Sequence, residues 1–304
     1  MLYQILKNTS RRLPNKIAAA YKDRSYTYDE LLLLNDKMAA SLVKLGLTRG
    51  DRLAFYLYNC PEIIISYFAC FKIGVTVIPI NYRLKEDEAH YIIDHSQPTV
   101  LISQKSLFCR IAGNMSELPS VKQIYLLEPE GEFANTLSFS DLLHPSEHPG
   151  DYAEIAGDTD AVVLYTSGTT GDPKGVLLSH GNLTYASRGG YRLYPQLSES
   201  HRGLSILPWA HSYALSGELN NWIQFGGSLG FMRDVTTLAE DLALIKPTFL
   251  IAVPRVFNKI YDGLWAKMDQ TGGLARALFV MGVENAQKKR QLASQGKSSF
   301  WVNQ

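Results

Sequence analysis

The chain has 304 residues, 46% of them hydrophobic, and 30 basic against 29 acidic side chains, a formal charge of +1. That length supports a large core and two packed subdomains, which makes disorder a poor expectation. The charge balance excludes the broad positive field that gathers nucleic acid, so a ligand has to be held by local chemistry.

The opening MLYQILKNTSRRLP has too short an apolar run for a signal peptide, and no later stretch approaches the length of a membrane span. The reading is a soluble, cytoplasmic protein. Three cysteines, Cys60, Cys70 and Cys109, are odd in number and lack CxxC spacing, which suits buried reduced thiols. Thr27 followed by Glu30 forms a capping box, and Leu31, Leu34, Met38, Leu42 and Leu45 recur at helical spacing until Gly46. A strand is predicted over 52–57, then a helix with Pro61 in its first turn running toward Gly74, and a strand over 75–80. A helix from near Lys85 carries Glu86, Asp87 and Glu88 where they complement its dipole, and strands follow over 99–103 and 121–127. This alternation predicts an α/β fold of layered sheets flanked by helices, with parallel strands joined by right-handed crossovers.

Residues 128–160 turn to Glu, Pro, Gly, Ser, Asp and His, as a surface connection does. The expected division is a first α/β subdomain over 1–150 and a second over 151–304. The second is read as strand 161–166, a glycine-rich loop, strand 175–179, a helix from about 181, strand 204–208, helix 212–224, strand 228–232, helix 237–245, strand 248–253, and helices 255–269 and 275–292.

The loop TSGTTGDPKG carries the chemistry. Its glycines allow positive φ and close backbone approach to an anion, its hydroxyls and peptide N–H groups can point inward, and Lys174 adds a fixed charge. A polyphosphate needs donors from several directions, and this string supplies them. A Walker A loop would need glycine before the lysine, Ser or Thr after it, and then a helix. Here Pro173 precedes Lys174, Gly175 follows, and VLLSH reads as a strand, so binding at a helix N-terminus is not the mechanism.

The full segment YTSGTTGDPKGVLLSHGNL resembles the signature loop of the adenylate-forming superfamily, which comprises acyl-CoA synthetases, luciferases and peptide-synthetase adenylation domains. The likeness extends to the block from LGLTRGDRLAFYLYN to IIDHSQPTVLI. It implies a large N-terminal domain of layered sheets and helices, truncated here, with a small C-terminal domain that lies beyond this chain. It implies a reaction in which a carboxylate attacks the α-phosphate of ATP, releasing pyrophosphate, before coenzyme A takes the acyl group: an AMP-forming acid–thiol ligase. By the same resemblance Thr166, Ser167, Gly168, Thr169, Thr170, Gly171 and Lys174 hold the phosphates, and the Thr166 hydroxyl is a ligand for Mg2+, to which a hard oxygen is suited.

LPWAHSYALSG, residues 207–217, is the segment that in the family approaches the acyl carboxylate, which makes Trp209, His211 and Ser212 the candidate substrate contacts. A lone histidine is more often structural; the motif context assigns His211 to substrate contact and not to proton transfer. Amino-acid-activating relatives need a carboxylate there, and none occurs before Glu218, so the acid is uncharged beyond its carboxylate. VPRVFNKIYDGL, 253–264, resembles long-chain fatty acyl-CoA synthetases and points to a fatty acid; it also reads as an amphipathic helix with Val256, Ile260 and Leu264 on its core face. A ligase for small or aryl acids and an inactive nucleotide-binding fragment stay as alternatives. The acidic residue that shares magnesium, the ribose-binding aspartate and the adenylation lysine of the family have no counterpart up to Gln304, so no catalytic residue is assigned and adenylation by this chain alone is not expected. His144 and His148 are separated by Pro145, which forbids the helix that would aim both at one metal. Lys288, Lys289 and Arg290 read as a solvated face; peripheral membrane contact and homodimerisation stay open.

Overall fold

The computed structural model describes residues 1–128, 133–144, 152, 154–166 and 172–295. Two units divide the chain, residues 1–251 and 252–304.

The first unit opens with α1 (Leu2–Arg12), which turns Leu2 and Leu6 inward, and an antiparallel pair, β1 (Ile17–Tyr21) and β2 (Arg24–Thr27). The pattern reading missed all three elements. The hairpin turn uses Lys22 at φ 57° in place of a signalling Gly or Asn. α2 (Tyr28–Lys44) starts at the expected capping box, with the Thr27 N–H donating to Glu30 at 2.7 Å and the Glu30 N–H to the Thr27 hydroxyl at 3.2 Å.

β3 (Arg52–Tyr56), α3 (Pro61–Ile73), β4 (Thr76–Ile80), α4 (Glu86–Ser96), β5 (Val100–Ser103) and β6 (Gln123–Leu126) follow the predicted alternation, and a helix absent from the pattern reading, α5 (Lys105–Ile111), lies between the last two strands. β3 pairs in parallel with β4 and β5, and β5 with β6. α3, PEIIISYFACFKI, is apolar nearly all round, the mark of a helix with no solvent face. It packs on β4 and also on α1, α2 and β1, and every residue except Lys72 is buried. Cys60 and Cys70 are buried, but Cys109 is exposed: Leu107, Phe108 and Ile111 take the inner face of α5 and leave residue 109 outside.

Residues 136–143, expected as surface connection, form β7 (Thr136–Ser138) and a 3-10 turn (Phe139–Leu143) that buries Phe139 and Leu142. Two apolar side chains are too few to show a period. β7 extends the sheet from β6, while β8 (Asp160–Thr166) joins β4 and β9 (Lys174–Ser179) pairs antiparallel with β8. The seven-stranded order is β7-β6-β5-β3-β4-β8-β9, so one sheet takes strands from both sides of residue 150.

Next come α6 (His180–Leu193), β10 (Arg202–Ser205), α7 (Ser212–Ala214), a π-helical turn (Leu215–Asn220), α8 (Asn221–Phe225), β11 (Ser228–Phe231) and α9 (Leu238–Ile245). A four-stranded sheet, β10-β11-β1-β2, unites the chain start with residues 202–231. β10 ends short of the predicted residue 208, because the polar groups of 207 and 209 bond to side chains and Pro208 has no N–H. The strand predicted over 248–253 is absent: the Thr248 and Phe249 N–H groups both donate to the Arg202 carbonyl, and no ladder continues from there.

The second unit is a helical hairpin, α10 (Pro254–Thr271) and α11 (Gly273–Ser294), turned at Gly272 and Gly273, both at positive φ. Trp265 meets Phe279 edge-on with centroids 5.2 Å apart, and Arg276 pairs with Asp269 at 2.7 Å. Val256, Ile260 and Leu264 do not form a core face: no residue of either helix is buried, and Leu264 is 43% exposed. Two helices alone cannot enclose a stripe that wide. Among the described residues no helix is long and apolar enough to cross a membrane.

Candidate functional site

In open α/β sheets the carboxyl ends of the strands form the usual ligand crevice. β8 ends there at Thr166. Thr166 stands opposite Lys174 in the β8–β9 register, with Tyr165 opposite Gly175 and Leu164 opposite Val176. Two antiparallel strands therefore hold the two ends of the loop together. Both Thr166 and Lys174 are exposed. Ser167, Gly168, Thr169, Thr170 and Gly171 lie outside the described residues. The strand that follows Lys174 is as predicted, which separates this loop from a Walker A loop.

Side chains support the base of the loop. Tyr165 packs against the cluster formed by β3, β4, β5 and α4, and its hydroxyl lies 2.7 Å from His95 Nδ1. Burial raises the pKa of that phenol, so it stays neutral. A Cβ on Gly175 would meet Val163 Cγ1 at 2.9 Å and the Tyr165 ring at 3.2 Å. Glycine is needed here for space and not for a left-handed backbone. Gly175→Ala is expected to lower stability by ~1–3 kcal/mol, the usual cost of overpacking, measured as a shift in the urea midpoint. An unchanged midpoint would show that β9 yields freely.

The second constellation lies on the segment between β10 and α7. Residues 207–211 take no regular structure, yet their backbone is tied down. Asn59 donates to the Leu207 carbonyl at 2.6 Å and accepts from the Trp209 N–H at 3.3 Å, and the Tyr67 hydroxyl donates to the Trp209 carbonyl at 3.1 Å. His211 reaches the surface, with Nε2 3.0 Å from the Asn81 amide nitrogen. Asn81 directly follows β4, the neighbour of β8. This contact brings His211 to the carboxyl end of the strand beside the one that carries Thr166. Partial burial and then the Arg83 charge lower the His211 pKa, so the ring is neutral at pH 7 and its Nε2 accepts from Asn81.

Ser212 is exposed at the start of α7, whereas Trp209 is 1% exposed and gives its indole N–H to Glu218 at 2.6 Å. The structure thus places His211 and Ser212 at the surface and buries Trp209. Asn59 and Asn81 escaped the sequence reading, which named Glu218 only as the first carboxylate after the segment. Asparagines near strand ends look like turn residues, and nothing local marks a partner more than a hundred residues away. His144 bonds to the Ser140 carbonyl at 2.8 Å, and His148 lies outside the described residues. Among the described residues no three His, Cys, Asp or Glu side chains converge on a metal position.

A seven-stranded and a four-stranded sheet accompany the buried α3, and β8 and β9 bracket the hydroxyl-rich segment, in a mixed α/β architecture. The chain belongs to the family of AMP-binding enzymes, whose profile matches residues 6–296. It is 28% identical over 288 residues to the peroxisomal long chain acyl-CoA synthetase 7 of Arabidopsis thaliana, a match covering 90% of this chain and 40% of that protein. A Rhodopseudomonas palustris protein assigned as a long-chain-fatty-acid CoA ligase aligns with TM-score 0.76 and 26% identity, over 86% of this chain and 65% of that one. An anthranilate CoA ligase bound to anthranoyl-AMP shares the fold, with TM-score 0.79 at 24% identity over 85% of this chain and 50% of that one. The chain spans about 40% of the length of the curated relatives it matches.

Proposed function

We propose that this chain supplies the phosphate-binding and acid-binding parts of a ligase that activates a fatty acid with ATP as acyl-adenylate and passes the acyl group to coenzyme A. The observation that carries the proposal is the Thr166–Lys174 pairing, which closes a hydroxyl- and glycine-rich loop at the carboxyl edge of the sheet in a chain of the AMP-binding family. Lys174 and the donors of 166–171 hold the β and γ phosphates, while His211 and Ser212, close in sequence to the buried Trp209, border the acyl carboxylate. Charge on the departing pyrophosphate is then met by donors already in place, which is where such a site lowers the barrier.

The exposed Thr166 hydroxyl suits a magnesium ion, which keeps most of its shell as water and phosphate oxygen and needs few protein ligands. Bound there, the ion would neutralise phosphate charge. Glu218, the first carboxyl after the segment 207–217, is buried and bonded to Trp209 and Ser205, so it does not stand ready for a substrate ammonium. This favours an acid without an amino group. The likeness to long chain acyl-CoA synthetases adds the fatty chain.

Acid-dependent ATP–pyrophosphate exchange by the complete gene product tests the reading. Palmitate and other long-chain acids are expected to give faster exchange than acetate or benzoate. A maximum at acetate or at an aromatic acid would replace the fatty acid with a small or aryl acid, and no exchange with any acid would leave only nucleotide binding.

A further inference from the structure

Two of the bonds that hold residues 205–211 end on one buried carboxyl. Glu218 Oε2 accepts from the Ser205 hydroxyl and from the Trp209 indole, each at 2.6 Å. Ser205 in turn accepts from Asn59 at 2.8 Å, the amide that also holds Leu207 and Trp209. Glu218 is 2% exposed and sits within the π-helical turn Leu215–Asn220, a distortion common at functional sites. No Lys, Arg or His is among the groups that pair with it; its only described partners are the two neutral donors.

A carboxyl buried without a cation is costly, and a well-packed apolar side chain of similar volume would ordinarily serve stability as well or better. What an apolar residue cannot do is accept two hydrogen bonds at one point. We propose that Glu218 is a positioning residue of the acid-binding segment. As the shared acceptor for Ser205 and Trp209 it sets the course of residues 206–211 and so delivers His211 to Asn81. The geometric part stands on the hydrogen bonds alone; the consequence for acid binding rests on the function proposed above.

The test compares Glu218→Gln, which keeps an acceptor oxygen, with Glu218→Met, which keeps only the volume, in the 304-residue chain. The His211 ring signals are followed by NMR and assigned through their loss in His211→Gln. The Trp209 emission is taken as the difference from Trp209→Phe. Glu218→Gln is expected to leave both signals in place. Glu218→Met is expected to shift the Trp209 emission to the red and to displace or broaden the His211 signals, with a cooperative unfolding transition retained. Should the Met variant not fold, Trp209→Phe, which removes one donor and leaves the carboxyl, is expected to move His211 in its stead.

Unmoved His211 signals in a folded Glu218→Met or in Trp209→Phe would overturn the proposal, as would equal displacement by Gln and Met. In the complete gene product the fatty-acid KM is expected to rise in Glu218→Met with the ATP KM unchanged, and to return toward the parent value in Glu218→Gln. If the NMR pattern appears and neither the Glu218 nor the His211 variants alter acid binding, the positioning stands and the acid-site reading falls.

Discussion

Replacing Lys174 with alanine is expected to weaken ATP binding by about tenfold to a hundredfold, as the loss of a charged hydrogen bond worth ~1.5–3 kcal/mol implies. Lys174 is the first residue of β9 and stands opposite Thr166, so its backbone is held by the ladder while its side chain stays free to reach an anion. Truncation should therefore remove the charge and leave the strand intact. Lys174→Arg is expected to recover part of the affinity, since the charge remains but a planar fork replaces a compact ammonium. Calorimetric titration of the 304-residue chain with ATP at fixed ionic strength measures this, because an exposed charge is screened by salt. Equal affinities of parent and Lys174→Ala would take the loop out of the nucleotide site.

The second large effect lies at His180, the first residue of α6. It is completely buried, meets Phe71 edge-on at 5.4 Å, and among the described residues has no hydrogen-bond partner for either ring nitrogen. Burial, then the nearby N-terminal amine and Arg49, lower its pKa from 6.5 to about 4. Between those values the unfolded chain binds a proton that the native chain refuses. Stability from this group is therefore complete above pH 6.5 and lost as pH falls toward 4, by on the order of 3 kcal/mol.

His180→Phe keeps a ring against Phe71 and abandons no hydrogen bond. Its stability is expected to equal or exceed that of the parent near neutral pH, with the acid limb between 6.5 and 4 flattened. Urea unfolding of both proteins across that range measures the difference. Glu218, whose pKa is raised by burial to about 8 against the two hydrogen bonds it accepts, acts with the opposite sign, stability falling as pH rises from 4.5 to 8. It is common to both proteins and drops out of the comparison. Parallel pH profiles would show that the His180 site takes up a proton without cost.

Much of the fold could be read because the relevant forces are local. The Thr27–Glu30 box, Pro61 at the start of α3 and Gly74 at its end are short-range signals, and each works in the structure as it does in an isolated helix. Periodicity failed where tertiary partners decide. β1 pairs in parallel with β11, some two hundred residues away, and nothing in IAAAY announces that neighbour. The segment 248–253 has the apolar content of a strand, but its Thr248 and Phe249 N–H groups both go to the Arg202 carbonyl and it makes no ladder.

The candidate site divides along the same line. The candidate loop could be read because the function proposed for it depends on contiguous residues: hydroxyls, glycines and a lysine within one short stretch of sequence. From the sequence by itself came the α/β class, the candidate phosphate loop with Lys174, and the exclusion of a Walker A geometry by the strand that follows. The tertiary structure alone set Asn81 against His211 and turned Trp209 inward onto the buried carboxyl of Glu218. Those contacts join residues from separate strands and helices, and their energy comes from desolvation and hydrogen bonding at positions that exist only once both sheets have formed around α3.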